Sequence, residues 1–364
     1  MPQSLDHKLT RLALEICRHT YEMGVDHVPS QDIVNYIKSE QNPNDPDPVP
    51  IHGSKTSFAS VVPCGNRIFV CYMGTKTELE MRCLKDLISV PDQGRLPIAE
   101  VTRNIRKLID SLKDWIKNAN VDLEDFVLDG AHIGNDDGIT LKGKVHSGFL
   151  SELKAVQCEV IKTLQDLKSP DGKRRKIVVT GHSQGGAEAA LATSAFAAAG
   201  IEVEATYTFA APRAGNQDFA DSIQTPVYRF EFGDDIVPHL PTSIISEVVR
   251  KKLVQYGALS KLSGLWDKFE DASDKIDEHS YVGVGKLCYG DYKEKVFHVG
   301  LSAEEEIVLR ETRRPQLKKN LQNWAAHHHL AGTDDELEKG TRGNYTQLAS
   351  PDEFGWSVSN SRAE

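Results

Sequence analysis

The sequence predicts an α/β protein in which helices flank a mostly parallel central sheet. Three observations carry that expectation. Strand-like and helix-like runs alternate through the middle of the chain, the pattern of a layered sheet with crossover helices. Ile177 to Thr180 is a short β-branched run without polar alternation, as expected of a strand covered on both faces. It leads into a glycine-rich turn, Gly181-His182-Ser183-Gln184-Gly185-Gly186, and then into Ala187 to Ala199, which reads as a helix ending before Gly200 as its C-cap.

The other elements follow in order. Leu5, Leu9, Leu12, Ala13 and Ile16 recur at helical spacing, and Ser30 reads as the N-cap of a short helix through Ile33, Val34 and Ile37. Residues 42–50 hold four prolines in nine residues, so they read as an extended connector. Phe58 to Val62 and Arg67 to Tyr72 read as strands around a Cys64-Gly65-Asn66 turn. Ile98 to Ala119 is the clearest amphipathic helix, with Val101, Ile105, Leu108, Leu112 and Trp115 on one stripe. Gly134 to Gly138 is acidic, yet it lacks the spacing and closing Glu of a calcium loop, so it reads as a hairpin turn. Tyr207 to Ala210, Val227 to Phe232 and Tyr281 to Tyr289 read as further strands.

Composition narrows the function. The chain has 364 residues and a net charge of −10, with 43 Lys+Arg against 53 Asp+Glu. That balance argues against nucleic acid as a partner, because phosphate recognition calls for a basic patch. With 39% hydrophobic and 26% charged residues the chain is globular rather than disordered. No stretch approaches the roughly 18–20 apolar residues of a membrane span. No signal peptide is visible at the start, so a soluble protein, cytoplasmic or secreted, is expected. The six cysteines are scattered, without a CxxC pair or metal-ligand spacing, so reduced thiols and no metal are expected.

The chemistry sits at the strand-to-helix turn. Gly181 to Gly185 is a G-x-S-x-G nucleophile elbow, which lifts a serine hydroxyl above the sheet on a strained turn. Small neighbours are needed because strand and helix approach closely there. Ser183 is the candidate nucleophile, and the backbone N–H of Gln184 is a candidate oxyanion donor.

Further segments carry a resemblance. Val145-His146-Ser147-Gly148-Phe149, the run Tyr207 to Asn216 containing Ala211-Pro212-Arg213, Asp235-Ile236-Val237-Pro238-His239-Leu240-Pro241, and Met73-Gly74-Thr75 occur in order around the elbow. With these motifs the sequence resembles the class 3 lipase family, the α/β-hydrolases related to fungal triacylglycerol lipases. Ala210 stands where glycine is usual, and Met73 where arginine is usual. The likeness spans roughly Ser57 to Tyr289. It implies an α/β-hydrolase fold with lid and insertion helices, and acyl transfer through a Ser-Asp-His triad with no cofactor.

Carried onto this sequence, the resemblance makes Asp235 the acid, with Asp234 as a solvated neighbour or turn former. It makes Thr75 the second oxyanion donor. Six histidines follow Asp235: His239, His279, His298, His327, His328 and His329. His239 reads as structural. The family's base lies in a late loop with an apolar residue two positions on, which His328-His329-Leu330 fits; His327 competes, and a surface metal-binding tract is the other reading of the triplet. Residues after Thr75 form the family's lid, and Leu84, Leu87 and Ile88 within 76–88 suit a short amphipathic helix or an ordinary surface helix alike. One hydrolase domain over 1–364 is expected. It would comprise N-terminal helices and a proline-rich connector (1–50), a lid and insertion region (76–144) and a polar C-terminal tail (340–364). The implied activity is that of a triacylglycerol lipase at a lipid–water interface. An esterase on soluble acyl or aryl esters, such as a feruloyl esterase, is the alternative, and a non-catalytic binding protein on the same fold the remote one.

Overall fold

The computed structural model describes residues 5–24, 30–53, 57–74, 123–167, 175–240, 281–319, 328, 345 and 355–358. The chain opens with two helices, α1 (His7–Gly24) and α2 (Gln31–Glu40). Strands β1 (Val49–His52), β2 (Phe58–Cys64) and β3 (Arg67–Tyr72) follow. A hairpin, β4 (Leu123–Leu128) and β5 (Ile139–His146), runs directly into α3 (Ser147–Asp166). Then come β6 (Lys176–His182), α4 (Gln184–Ala198), β7 (Val203–Phe209), α5 (Gln217–Ser222) and β8 (Val227–Phe232). The chain closes with β9 (Lys286–Asp291), β10 (Val296–Val299), α6 (Ala303–Lys319) and β11 (Gly355–Val358).

Among the described residues, nine strands form one sheet in the order β1-β2-β3-β6-β7-β8-β9-β10-β11. The run from β3 through β9 is parallel, and the strands outside it are antiparallel except for β10 with β11. This is the mostly parallel sheet that the sequence predicts. The pleat explains why its central strands read as continuous apolar runs. Ile177 and Val179 enter one core while Val178 enters the other, and Ile68, Val70 and Tyr72 alternate likewise with Phe69 and Cys71. The first core is covered by α3 and α4, the second by the N-terminal helices. Full burial of Leu191 and Phe196 on α4 contributes about 1.5–3 kcal/mol each. Alanine at 187, 189, 190, 192 and 195 leaves the rest of that helix thin enough to lie against the sheet.

Several expectations need correction. Tyr281 to Tyr289 is not one strand: β9 starts only at Lys286, and Val282 makes an isolated bridge to Gly215. Gly285 has φ +81°, which breaks the extended run. The proline-rich connector ends inside a strand, since β1 begins at Val49 and pairs at the sheet edge, where proline is tolerated. The polar tail supplies β11 and the buried Tyr345. Ser30 is the N-cap of α2 by position, but its side chain makes no capping bond. The Gly134 to Gly138 turn does join a hairpin, β4 with β5. The expected helices over 76–88 and 98–119 lie outside the described residues. No described helix is long and apolar enough to cross a membrane.

His146 gives this scaffold a pH dependence. It caps α3: its Nδ1 accepts the Phe149 N–H at 3.3 Å, and the two rings stack with centroids 4.0 Å apart. Burial pushes its pKa down to about 3. An unfolded histidine titrates near 6.5, so between these values the unfolded chain binds the extra proton. The stability His146 contributes is complete above about pH 6.5 and is lost as pH falls toward 3. His146→Asn keeps a capping acceptor without the titration. Urea unfolding of this variant between pH 4 and 6.5 should have a pH slope shallower than wild type by up to about one proton. Equal slopes would mean that the imidazole is not held neutral.

Candidate active site

Parallel α/β sheets place ligands beyond the carboxyl ends of their strands. Here β3 ends at Tyr72, β6 at His182 and β8 at Phe232, and Gly74 of the Met73-Gly74-Thr75 motif and the predicted residues Ser183 and Asp235 lie just past those ends. Ser183 has φ 55° and ψ −132°, a backbone state costly for any residue with a Cβ. The turn is held from both sides: Ser183 N–H donates to Phe209 O at 2.9 Å, and Gly186 N–H donates to Ser183 O at 2.9 Å. The glycines are sterically required. A Cβ on Gly181 would lie 2.1 Å from Gly185 O, and one on Gly185 would lie 2.1 Å from Tyr72 O.

His328 stands between Ser183 and Asp235. Its Nε2 is 3.0 Å from Ser183 Oγ, and its Nδ1 is 3.1 Å from both carboxylate oxygens of Asp235. A carboxylate only accepts, so Nδ1 carries the hydrogen and Nε2 is left to accept the serine proton. His328 is 4% exposed and Asp235 2%, so bulk water does not compete for these bonds. Asp235 also accepts from Val237 N–H at 3.0 Å and from Tyr345 Oη–H at 3.0 Å. The Tyr345 phenol itself accepts the Phe232 N–H at 3.1 Å, tying the acid's loop to the end of β8. Sequence reasoning missed Tyr345, a lone tyrosine in a polar stretch, and no local pattern could have flagged it.

Asp234 is not solvated as expected. It is 1% exposed, accepts from Arg313 Nη2 at 2.9 Å and from Tyr292 Oη at 3.1 Å. Arg313 also donates to Gly233 O at 2.9 Å. The pair thus clamps the loop on which Asp235 turns inward. His239 points elsewhere: its Nδ1 accepts from Arg310 at 3.1 Å, and burial together with Arg310 holds its pKa well below the ordinary value. His298 lies within β10, paired across to Tyr289 and Ser357. Thr75, His279, His327 and His329 fall outside the described residues.

Gln184 opens α4, where the first backbone N–H groups have no upstream helical carbonyl and favour developing negative charge. Its side chain donates to Glu188 Oε1 at 2.9 Å, one turn along. Glu188 is 1% exposed, and burial pushes its carboxyl well above the usual carboxylate range. Among the described residues no cluster of His, Cys, Asp and Glu is arranged to hold a metal ion.

Known proteins similar to this chain are lipases by name. The family model for Lipase (class 3) matches residues 105–244, starting inside the stretch read as an insertion. The chain is 39% identical over 100 residues to secreted mono- and diacylglycerol lipase 1 of Fusarium solani, covering 27% of this chain and 29% of that protein. It is 31% identical over 121 residues to secreted mono- and diacylglycerol lipase A of Penicillium cyclopium, covering 33% and 39%. It is 36% identical over 105 residues to a lipase of Rhizomucor miehei, covering 27% and 29%. The matched segments therefore span well under half of these relatives' lengths. Among solved structures, the lipase of Rhizopus microsporus var. chinensis aligns with a TM-score of 0.46 at 19% identity, covering 78% of this chain and 74% of that one.

Proposed function

We propose that the chain, whose residues 105–244 match the class 3 lipase family model, is a member of that family and a serine carboxylic-ester hydrolase acting on acylglycerols. The observation that carries this reading is the single line of contacts from Asp235 through His328 to Ser183. In the proposed reaction Ser183 Oγ attacks the ester carbonyl while its proton passes to His328 Nε2. Asp235 accepts throughout from Nδ1–H and stabilises the imidazolium without taking the proton. The tetrahedral oxygen is received by the backbone N–H of Gln184 and by a second donor at Thr75, each worth about 3 kcal/mol in the transition state. His328 then returns the proton to the leaving alcohol. Water, activated by the same imidazole, releases the acid from the acyl-enzyme.

Relatives named as mono- and diacylglycerol lipases and as lipases support glycerides as the substrate class, and the reading puts the reaction at a lipid–water interface. The test is covalent labelling. A p-nitrophenyl phosphonate should release one equivalent of p-nitrophenol from wild type and none from Ser183→Ala. Equal release from both proteins would remove Ser183 as nucleophile. Rates on emulsified monoacyl- and diacylglycerol should rise above the substrate's solubility limit; hyperbolic kinetics without that rise would move the assignment toward an esterase on soluble esters.

A further inference from the structure

His182, the residue before the proposed nucleophile, reaches the backbone of the proposed base. Its Nε2 lies 2.7 Å from the main-chain oxygen of His328, 146 positions along the chain. A carbonyl oxygen only accepts, so Nε2 carries a hydrogen. Its Nδ1 lies 3.0 Å from Tyr21 Oη on α1. In the neutral ring that Nε2–H leaves, Nδ1 is a bare acceptor, and the phenol donates to it. Gly74 is nested so closely that a Cβ there would lie 2.1 Å from Tyr21 Oη and 2.7 Å from His182 O. One directed chain of hydrogen bonds thus runs from Tyr21, packed against Gly74 beside the proposed oxyanion donor, through His182 to His328.

We propose that His182 is a positioning residue: it fixes the main chain of His328, and Tyr21 fixes the tautomer in which His182 does so. Both ring bonds of His328 change during turnover, that to Ser183 as the proton moves and that to Asp235 as imidazolium forms. The anchor on its carbonyl stays constant, so the imidazole returns to the same place in each half-reaction. The rings of His182 and His328 lie 4.8 Å apart, so a displaced His182 also removes a wall of the base's site. The inference rests on Ser183 and His328 being nucleophile and base.

The test compares His182→Leu, which has no donor, with His182→Gln, whose amide N–H reaches toward the same carbonyl. The assay is a soluble short-chain p-nitrophenyl ester, with rates expressed per site titrated by the phosphonate. Misplacement of a catalytic group by about 1 Å costs on the order of 100-fold. We expect kcat to fall about 10- to 100-fold in His182→Leu with KM unchanged, and most of that loss to be recovered in His182→Gln. Tyr21→Phe should lower kcat less, and the Tyr21→Phe/His182→Leu double variant should be no slower than His182→Leu alone. Equal losses in the Leu and Gln variants, or wild-type kcat in His182→Leu, would overturn the proposal. If His182→Leu does not fold, wild-type kcat in Tyr21→Phe does so instead. An active Ser183→Ala would overturn the reading of the site itself; an inactive Ser183→Ala beside a fully active His182→Leu would overturn only the anchor.

Discussion

A His328→Ala variant is expected to lose about 10⁴- to 10⁶-fold in kcat on a soluble ester, with the protein still folded. The double variant Ser183→Ala/His328→Ala should be no slower than either single variant. The reason is that the serine and the imidazole act as one unit. Without a base the Ser183 hydroxyl is a poor nucleophile, and without the hydroxyl the base has no proton to take. What survives in all three variants is oxyanion stabilisation and substrate binding. The prediction also separates the members of the histidine triplet. The Nε2 of His328 is 3.0 Å from Ser183 Oγ and its Nδ1 is 3.1 Å from Asp235, so the rate loss should attach to this position. His327→Ala and His329→Ala should retain most activity. If His327→Ala were the slow variant, the base would be one residue earlier, as the sequence pattern also allowed. Single-turnover release of p-nitrophenol, read with steady-state kcat, measures acylation and turnover separately.

How legible this arrangement was depended on whether a residue's partners are local. Ser183 could be read because the elbow is a local steric problem. β-branched residues lead in, glycines relieve contacts at Gly185 O and Tyr72 O, and a thin alanine helix leads out. Asp235 could be read only through a motif, and its neighbour Asp234 was misjudged. Nothing beside Asp234 in sequence announces that Arg313 and Tyr292 will bury it. Tyr345 and Tyr21 were invisible for the same reason. Their hydroxyls meet Asp235 and His182 across 110 and 161 positions, and tertiary packing alone makes them polar contacts rather than aromatic core. The failed strand over Tyr281 to Tyr289 is the converse case. Its alternating apolar residues mimic a strand, but Gly283 lies against the Arg229 guanidinium and Gly285 takes a left-handed backbone, so pairing with β8 starts only at Lys286.

Gly185→Ala should be strongly disruptive in the elbow, although helix propensity alone argues the other way. Gly185 lies in the first turn of α4, where alanine is intrinsically better by about 1 kcal/mol. Against that gain, the new Cβ would sit 2.1 Å from Tyr72 O, 2.6 Å from Tyr72 C and 2.7 Å from Met73 C. All three are backbone atoms, so no side chain can rotate away, and overpacking of this kind costs about 1–3 kcal/mol or more. The clash wins, and a net loss of about 2 kcal/mol is expected from the shift in urea midpoint. Gly200→Ala provides the contrast. That glycine has φ +68° with nothing within 4 Å of its Cβ position, so alanine there meets only backbone strain of about 1–2 kcal/mol. The two variants should therefore separate in activity more than in stability. In Gly185→Ala the atoms that must retreat belong to the end of β3, from which the chain runs through Met73 and Gly74 to Thr75. Its kcat per titrated site should fall, while Gly200→Ala, at the far end of the helix, should turn over like wild type. Should Gly185→Ala prove both stable and fully active, the close approach of helix to strand is not what sets the geometry of the elbow.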